Sequence, residues 1–186
     1  MKKIIYTSVA LLLMGFTVLP ACNKLKELAK VNLTFDNAKG EFDIPELTAI
    51  GEVNLGTADT YINLDSLIKA ENSEVSANNI RSVHMKSCTL VLTNGTAINN
   101  FSALESCKLE IKSNKKSDYV QMASVINNPD VEAYALEMPV DQSIELKDYF
   151  LNANVFTIKV SGKNRKMTTQ SLHCTVQLKY TLEAGL

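Results

Sequence analysis

Cys174-Thr175-Val176-Gln177-Leu178-Lys179-Tyr180-Thr181-Leu182 is the stretch on which the fold turns. Successive side chains of a strand point to opposite faces. Cys174, Val176, Leu178, Tyr180 and Leu182 therefore share one face, and Thr175, Gln177, Lys179 and Thr181 share the other. A helix, with its period of 3.6, would spread the same apolar residues around its circumference. The pattern predicts a half-buried strand, apolar inward and polar outward.

The same period of two recurs toward the amino terminus. Phe156, Ile158 and Val160 carry it, then Tyr134, Leu136 and Met138, and Val120 with Met122. Cys107, Leu109 and Ile111 alternate with Ser106, Lys108, Glu110 and Lys112, and the longest β-like run is Ser82 to Thr93. Ile62 with Leu64, Val53 with Leu55, Phe42 with Ile44, and Val31, Leu33 and Phe35 complete the set. Asn94-Gly95, Asn127-Asn128-Pro129-Asp130 and Ser161-Gly162-Lys163-Asn164 supply turn chemistry between them. Many short strands with polar outer faces predict an all-β domain over residues 31–186. The expected form is an immunoglobulin-like two-sheet β-sandwich with one or two short helical turns.

One internal echo bears on those helical turns. Ile62-Asn63-Leu64-Asp65-Ser66-Leu67-Ile68 and Ile144-Glu145-Leu146-Lys147-Asp148-Tyr149-Phe150 share the form I-x-L-x-x-Φ-Φ. Two similar corners plugging the ends of one core explain the echo, as does duplication of a half-sandwich; the first is the simpler reading. Neither brings catalytic chemistry.

The amino terminus sets the address. Met1-Lys2-Lys3 is a basic start, Ile4 to Leu19 is almost wholly apolar, and polar sequence resumes at Asn23. That is the build of a removable secretory signal, and it falls short of the about 20 apolar residues of a permanent span. Leu19-Pro20-Ala21-Cys22 resembles the lipobox of bacterial lipoproteins. The resemblance implies cleavage before Cys22, a diacylglyceryl group on its thiol and acylation of the new amine. Residues 1–21 are thus expected to be a signal peptide, and 22–30 a lipidated anchor with a short tether. Two or more acyl chains hold a protein firmly at a bilayer. The tether, Asn23-Lys24-Leu25-Lys26-Glu27-Leu28-Ala29-Lys30, reaches only about 25 Å even when extended.

Asn23 is not the aspartate that resembles an inner-membrane retention mark in enterobacterial lipoproteins. Lys24-Leu25-Lys26 also lacks the acidic run typical of surface-exported lipoproteins in Bacteroides-like organisms. The expected location is therefore the bacterial outer membrane, on its periplasmic face, with surface exposure as the alternative. Loss of Lys2 and Lys3 from 19 basic residues leaves 17 against 20 acidic ones, a net charge of −3. No basic excess points to nucleic acid. About 165 mature residues suffice for one domain with a real core.

Chemistry is sparse. Cys88, Cys107 and Cys174 remain after Cys22 in a compartment that permits disulfides. An odd number leaves at least one thiol unpaired within the chain. Closing Cys88 to Cys107 would contribute about 3 kcal/mol by the chain-entropy argument, while three thiols packed as small hydrophobes are equally compatible with the pattern. His84, Cys88, His173 and Cys174 do not make a convincing metal set, because consecutive His173 and Cys174 point to opposite faces of a strand. No C-x-x-C, H-E-x-x-H, G-x-S-x-G or phosphate-cradling glycine motif is present. No cofactor is expected and no enzymatic activity. Asp65-Ser66-Leu67 resembles the D-[ST]-[aliphatic] acceptor of protein O-glycosylation in Bacteroides-like bacteria, which makes Ser66 a modification candidate; an aspartate opening a helical turn is the alternative.

These features lead to a non-catalytic envelope lipoprotein, held by covalent lipid, that works by contact with another envelope protein. The alternative is a surface lipoprotein capturing glycan or nutrient for uptake. Tryptophan, the best sugar platform, is absent, and Tyr61, Tyr119, Tyr134 and Tyr149 are the aromatic candidates. A hydrolase built on clustered acids is the third reading.

Overall fold

The computed structural model describes residues 30–73 and 75–185. The expected signal peptide, Cys22 and most of the expected tether lie outside them.

Among the described residues eight strands form two antiparallel sheets: β1 (Lys30–Ile44), β2 (Gly51–Tyr61), β3 (Ile80–Leu92), β4 (Leu104–Ser113), β5 (Val120–Val125), β6 (Ala135–Met138), β7 (Val155–Asn164) and β8 (Leu172–Gly185). Two short helices, α1 (Leu64–Glu71) and α2 (Lys147–Phe150), fill the β2–β3 and β6–β7 connections. Single 3-10 turns precede β3 and β4. The two-sheet, all-β sandwich with short helical turns is therefore present.

The inner faces are those the alternation predicts. Cys174, Val176, Leu178, Tyr180 and Leu182 on β8 are all buried, as are Cys107, Leu109 and Ile111 on β4 and Phe156, Ile158 and Val160 on β7. They interlock between the sheets as one continuous core. Both halves of the Ile62/Ile144 echo serve that core. Leu64 and Ile68 from α1, and Leu146, Tyr149 and Phe150 beside or within α2, are buried in it.

Strand order is not visible in periodicity, and it refines the expected sandwich. One sheet runs β1-β8-β3-β6 and the other β2-β7-β4-β5. The pairs β1·β8, β2·β7, β3·β6 and β4·β5 are those of one long hairpin, first half of the chain against second. Rolling that hairpin up closes β3 on β8 and β4 on β7. This is the double-sheet jelly roll of eight strands, so the layers are those of an immunoglobulin-like sandwich and the connections are not.

The roll gives the molecule two unlike ends. Lys30 pairs with Gly185 at the tether end, which also carries the β2–β3, β4–β5 and β6–β7 connections. The β1–β2, β3–β4, β5–β6 and β7–β8 connections gather at the loop end. Among the described residues no helix is long and apolar enough to cross a membrane.

Candidate functional site

Asparagine builds the loop end. Loops carry backbone N–H and C=O groups that no ladder satisfies, and each must find a partner if buried. Asn164, fully buried at the end of β7, donates to Ala49 O and Lys166 O at 2.9 Å each and accepts from Gly51 N at 3.0 Å. Those bonds tie the β7–β8 loop to the β1–β2 loop, a joint doubled by Leu47 N to Thr168 Oγ1 (2.9 Å) and Thr168 N to Leu47 O (3.1 Å). Asn99 Nδ2 donates to Thr169 Oγ1 (3.1 Å), and Asn99 Oδ1 accepts from Thr169 N (2.8 Å), joining β3–β4 to β7–β8. Asn94 reaches the same loop through Ser171 O (3.1 Å) and His173 N (2.7 Å). Asn128 Nδ2 donates to Phe101 O (2.8 Å) and Leu104 O (3.1 Å), fixing β5–β6 against β3–β4. Asn100 ties its own loop through Thr96 O and Ala97 O at 3.0 and 2.9 Å.

The locked loops hold apolar side chains out. Ile50, Ile98, Ile126, Val131 and Met167 are 58–76 % exposed, and each lies on one of the four loop-end connections. With Tyr134 they make six of the eight exposed large apolar residues among the described residues. Single exposed apolar residues scattered over a surface need no explanation, whereas their gathering at one end does. A charged fringe accompanies them: Lys163 pairs with Glu105 (2.9 Å) and Lys166 with Asp130. Asn127, beside Ile126, has a φ of 59°, a left-handed conformation that asparagine adopts more readily than other side-chain-bearing residues.

This surface was not singled out from the sequence, and Asn99, Asn100, Phe101 and Ser102 have the composition of a solvated polar connection. All four are instead buried. The available signal was the isolated aliphatic residue inside each polar turn cluster, such as Ile98 before Asn99 and Ile126 before Asn127.

The other candidates are dispersed. Cys88, Cys107 and Cys174 are free, buried thiols. Cys88 Sγ lies 3.9 Å from Met138 Sδ. Burial drives the thiols of Cys88 and Cys174 up to about 12, and pushes Cys107 up as well, so all three are protonated and unreactive near neutral pH. His84 Nδ1 donates to Ile144 O at 3.0 Å, with Glu145 Oε2 3.7 Å from its other nitrogen. His173 sits on the outer face with Asp43 (2.9 Å) and Glu41 (3.8 Å), opposite in direction to buried Cys174. Its second nitrogen faces a carboxylate, not a nucleophile. Among the described residues no three His, Cys, Asp or Glu side chains converge where an ion could bind.

The tyrosines do not form one platform. Tyr149 is buried, Tyr61 stands exposed at the tether end, and Tyr134 lies at the loop end. Tyr119 is flanked by the Lys112 and Lys159 ammonium groups, 5.0 and 5.4 Å from its ring centre. Ser66 is exposed in the first turn of α1, where its N–H donates to the Asn63 side chain at 3.0 Å. Asp65 beside it is held below the usual carboxylate range by the Lys69 ammonium (2.5 Å) and the Ala77 N–H.

Comparison with known proteins adds little beyond layout. No family model matches the chain, and no curated protein does. Among solved structures, the chain is similar to an infectious bursal disease virus Gt strain structure, at 9 % identity and a TM-score of 0.38. It is also similar to T=1 particles derived from that virus, at 11 % and 0.39, and to the C-terminal domain of a chitobiase from Bacteroides fragilis, at 12 % and 0.33. The viral matches cover 84 % of this chain and 33 % and 32 % of theirs; the chitobiase match covers 66 % and 62 %. The chain thus spans about a third of the length of the viral chains it matches. At such TM-scores nothing about those proteins' roles passes to this one.

Proposed function

We propose that the protein is a non-catalytic envelope lipoprotein, lipidated on Cys22, that binds another envelope protein through its loop end. The observation that carries the reading is the set of exposed Ile50, Ile98, Ile126, Val131 and Met167 on loops fixed by buried asparagines. Loops already ordered lose little freedom on binding, so more of the apolar contact appears as affinity. Lys30, where the expected tether joins the domain, lies at the opposite end, so a lipid on Cys22 would leave this surface facing away from the bilayer that holds it. Anchoring also raises the effective concentration for neighbours in the same membrane.

Two experiments test the two halves. Cys22→Ala abolishes incorporation of labelled palmitate and leaves an uncleaved or released product; palmitate-free wild type removes the anchor. Photo-reactive amino acids at Ile98 and Ile126 in intact cells give one shared cross-linked product, absent from Lys86 on β3 and lost in an Ile50→Asp/Met167→Asp background. Equal products from all three positions, or none from the loops, remove the contact surface.

A further inference from the structure

We propose that the thioether of Met167 is a modification site: a peroxide-class oxidant converts it to the sulfoxide, and the sulfoxide switches off the loop-end contact. The functional consequence rests on the proposed loop-end contact; the modification itself does not.

Exposure singles out one sulfur. Met1 and Met14 fall within the expected signal peptide. Met85, Met122 and Met138 are at most 4 % exposed, and the thiols of Cys88, Cys107 and Cys174 are buried as well. Met167 is 58 % exposed. Sulfur oxidation follows access and, for thiols, thiolate character. Burial keeps these three thiols protonated near neutral pH. Among the described residues, an oxidant in solution therefore meets Met167 before any other sulfur.

The backbone holds this side chain outside the core. On one side, Lys166 O accepts from the side chain of buried Asn164 at 2.9 Å. On the other, buried Thr168 donates its N–H to Leu47 O (3.1 Å) and accepts from Leu47 N through its hydroxyl (2.9 Å). With both neighbours pinned, the thioether between them stays at the surface.

Position gives the sulfur its consequence. The β7–β8 loop, with Asn164 at its root, is bonded to each of the other three loop-end connections. Asn164 and Thr168 tie it to the loop of Ile50, and Thr169 ties it through Asn99 to the loop of Ile98. Arg165 and Lys166 tie it, through Asn128 O and Asp130, to the loop of Ile126 and Val131. Met167 thus projects from the loop that joins the whole apolar set.

The reaction is a two-electron oxygen transfer. A sulfur lone pair attacks one oxygen of hydrogen peroxide, and an S–O bond forms as the O–O bond breaks. The attacked oxygen passes its proton to the departing hydroxide, which leaves as water. An apolar side chain becomes a polar one. Because this sulfur does not pack in the core, the fold is unchanged. A partner that covers it must now desolvate the sulfoxide oxygen, and the contact weakens.

The test has two readouts. The purified full chain is treated with hydrogen peroxide and digested for peptide mass spectrometry. One oxygen is added to the peptide bearing Met167 while Met85, Met122 and Met138 stay unmodified, and the Tm does not move. In isolated envelope membranes, peroxide followed by catalase lowers the photo-cross-link from Ile98 roughly tenfold. Methionine sulfoxide reductases acting on both epimers, with dithiothreitol, restore it. In Met167→Leu, peroxide leaves the yield where that variant had it before treatment. Should the variant give too little product to score, reversal by the reductases decides, and no recovery overturns the switch. Oxidation of a buried methionine as fast as Met167, a lower Tm for the singly oxidised chain, or an equal peroxide loss in Met167→Leu also overturns it. No Ile98 product from untreated wild type removes the contact and the switch together; a product indifferent to the sulfoxide removes the switch alone.

Discussion

A buried polar group without a partner costs a folded protein about 1–3 kcal/mol, and Tyr180 Oη is such a group. Tyr180→Phe should therefore stabilise the protein by about 1 kcal/mol, read from the midpoint of urea unfolding. The thiols give a pH-dependent counterpart. Unfolded thiols titrate near 9, whereas folded Cys88 and Cys174 titrate near 12 because burial disfavours the thiolate. Between those values the unfolded chain has released protons that the folded chain still holds. Stability is thus intact below about pH 9 and falls as pH rises toward 12, by about 1.4 kcal/mol per pH unit for each thiol in the window. Urea midpoints at pH 8 and pH 10 measure the fall, and Cys174→Val reduces it. In the sequence, Cys107 and Cys174 were legible as inward-facing; whether any two bonded was not, because pairing depends on where different strands meet.

Among the elements, the β4·β7 pairing leaves the least room for change. A Cβ at Gly162 would stand 2.2 Å from Ser106 O on the neighbouring strand. Gly162→Ala must therefore displace backbone, and a loss of about 2–4 kcal/mol is expected, with a matching drop in Tm. At α1, Asn63 accepts from Ser66 N, and Asn63→Ala should cost about 1 kcal/mol. Strands β4, β7 and β8 were legible because one face is apolar and the other polar along their whole length. Strand β1 read as two runs, Val31–Phe35 and Phe42–Ile44, because its bulge at 36–37 breaks the alternation that continuous pairing with β8 preserves. Ile62 and Leu64 continued the period of two in the sequence, yet β2 stops at Tyr61 and Leu64 opens α1, where the Asn63 cap takes over.

At the scale of the whole molecule, the sequence carried the layers and not the wrapping. Contacts that join the two halves of the chain within the roll link residues more than a hundred positions apart, such as Leu47 with Thr168 and Gly51 with Asn164. No periodicity within either segment announces them. The same wrapping brings four separate loops together, and with them exposed Ile50, Ile98, Ile126 and Met167, which stand far apart in the sequence. With the proposed lipid on Cys22, the tether end would face the bilayer and the loop end would face away from it. Strand β1, 15 residues long, separates the two by on the order of 45 Å. Fluorophores placed through Ser66→Cys and Met167→Cys, on membranes carrying nitroxide lipids, measure it, since the native Cys88, Cys107 and Cys174 are buried. The label at 66 should be quenched and the label at 167 should not; stronger quenching at 167 would contradict the account.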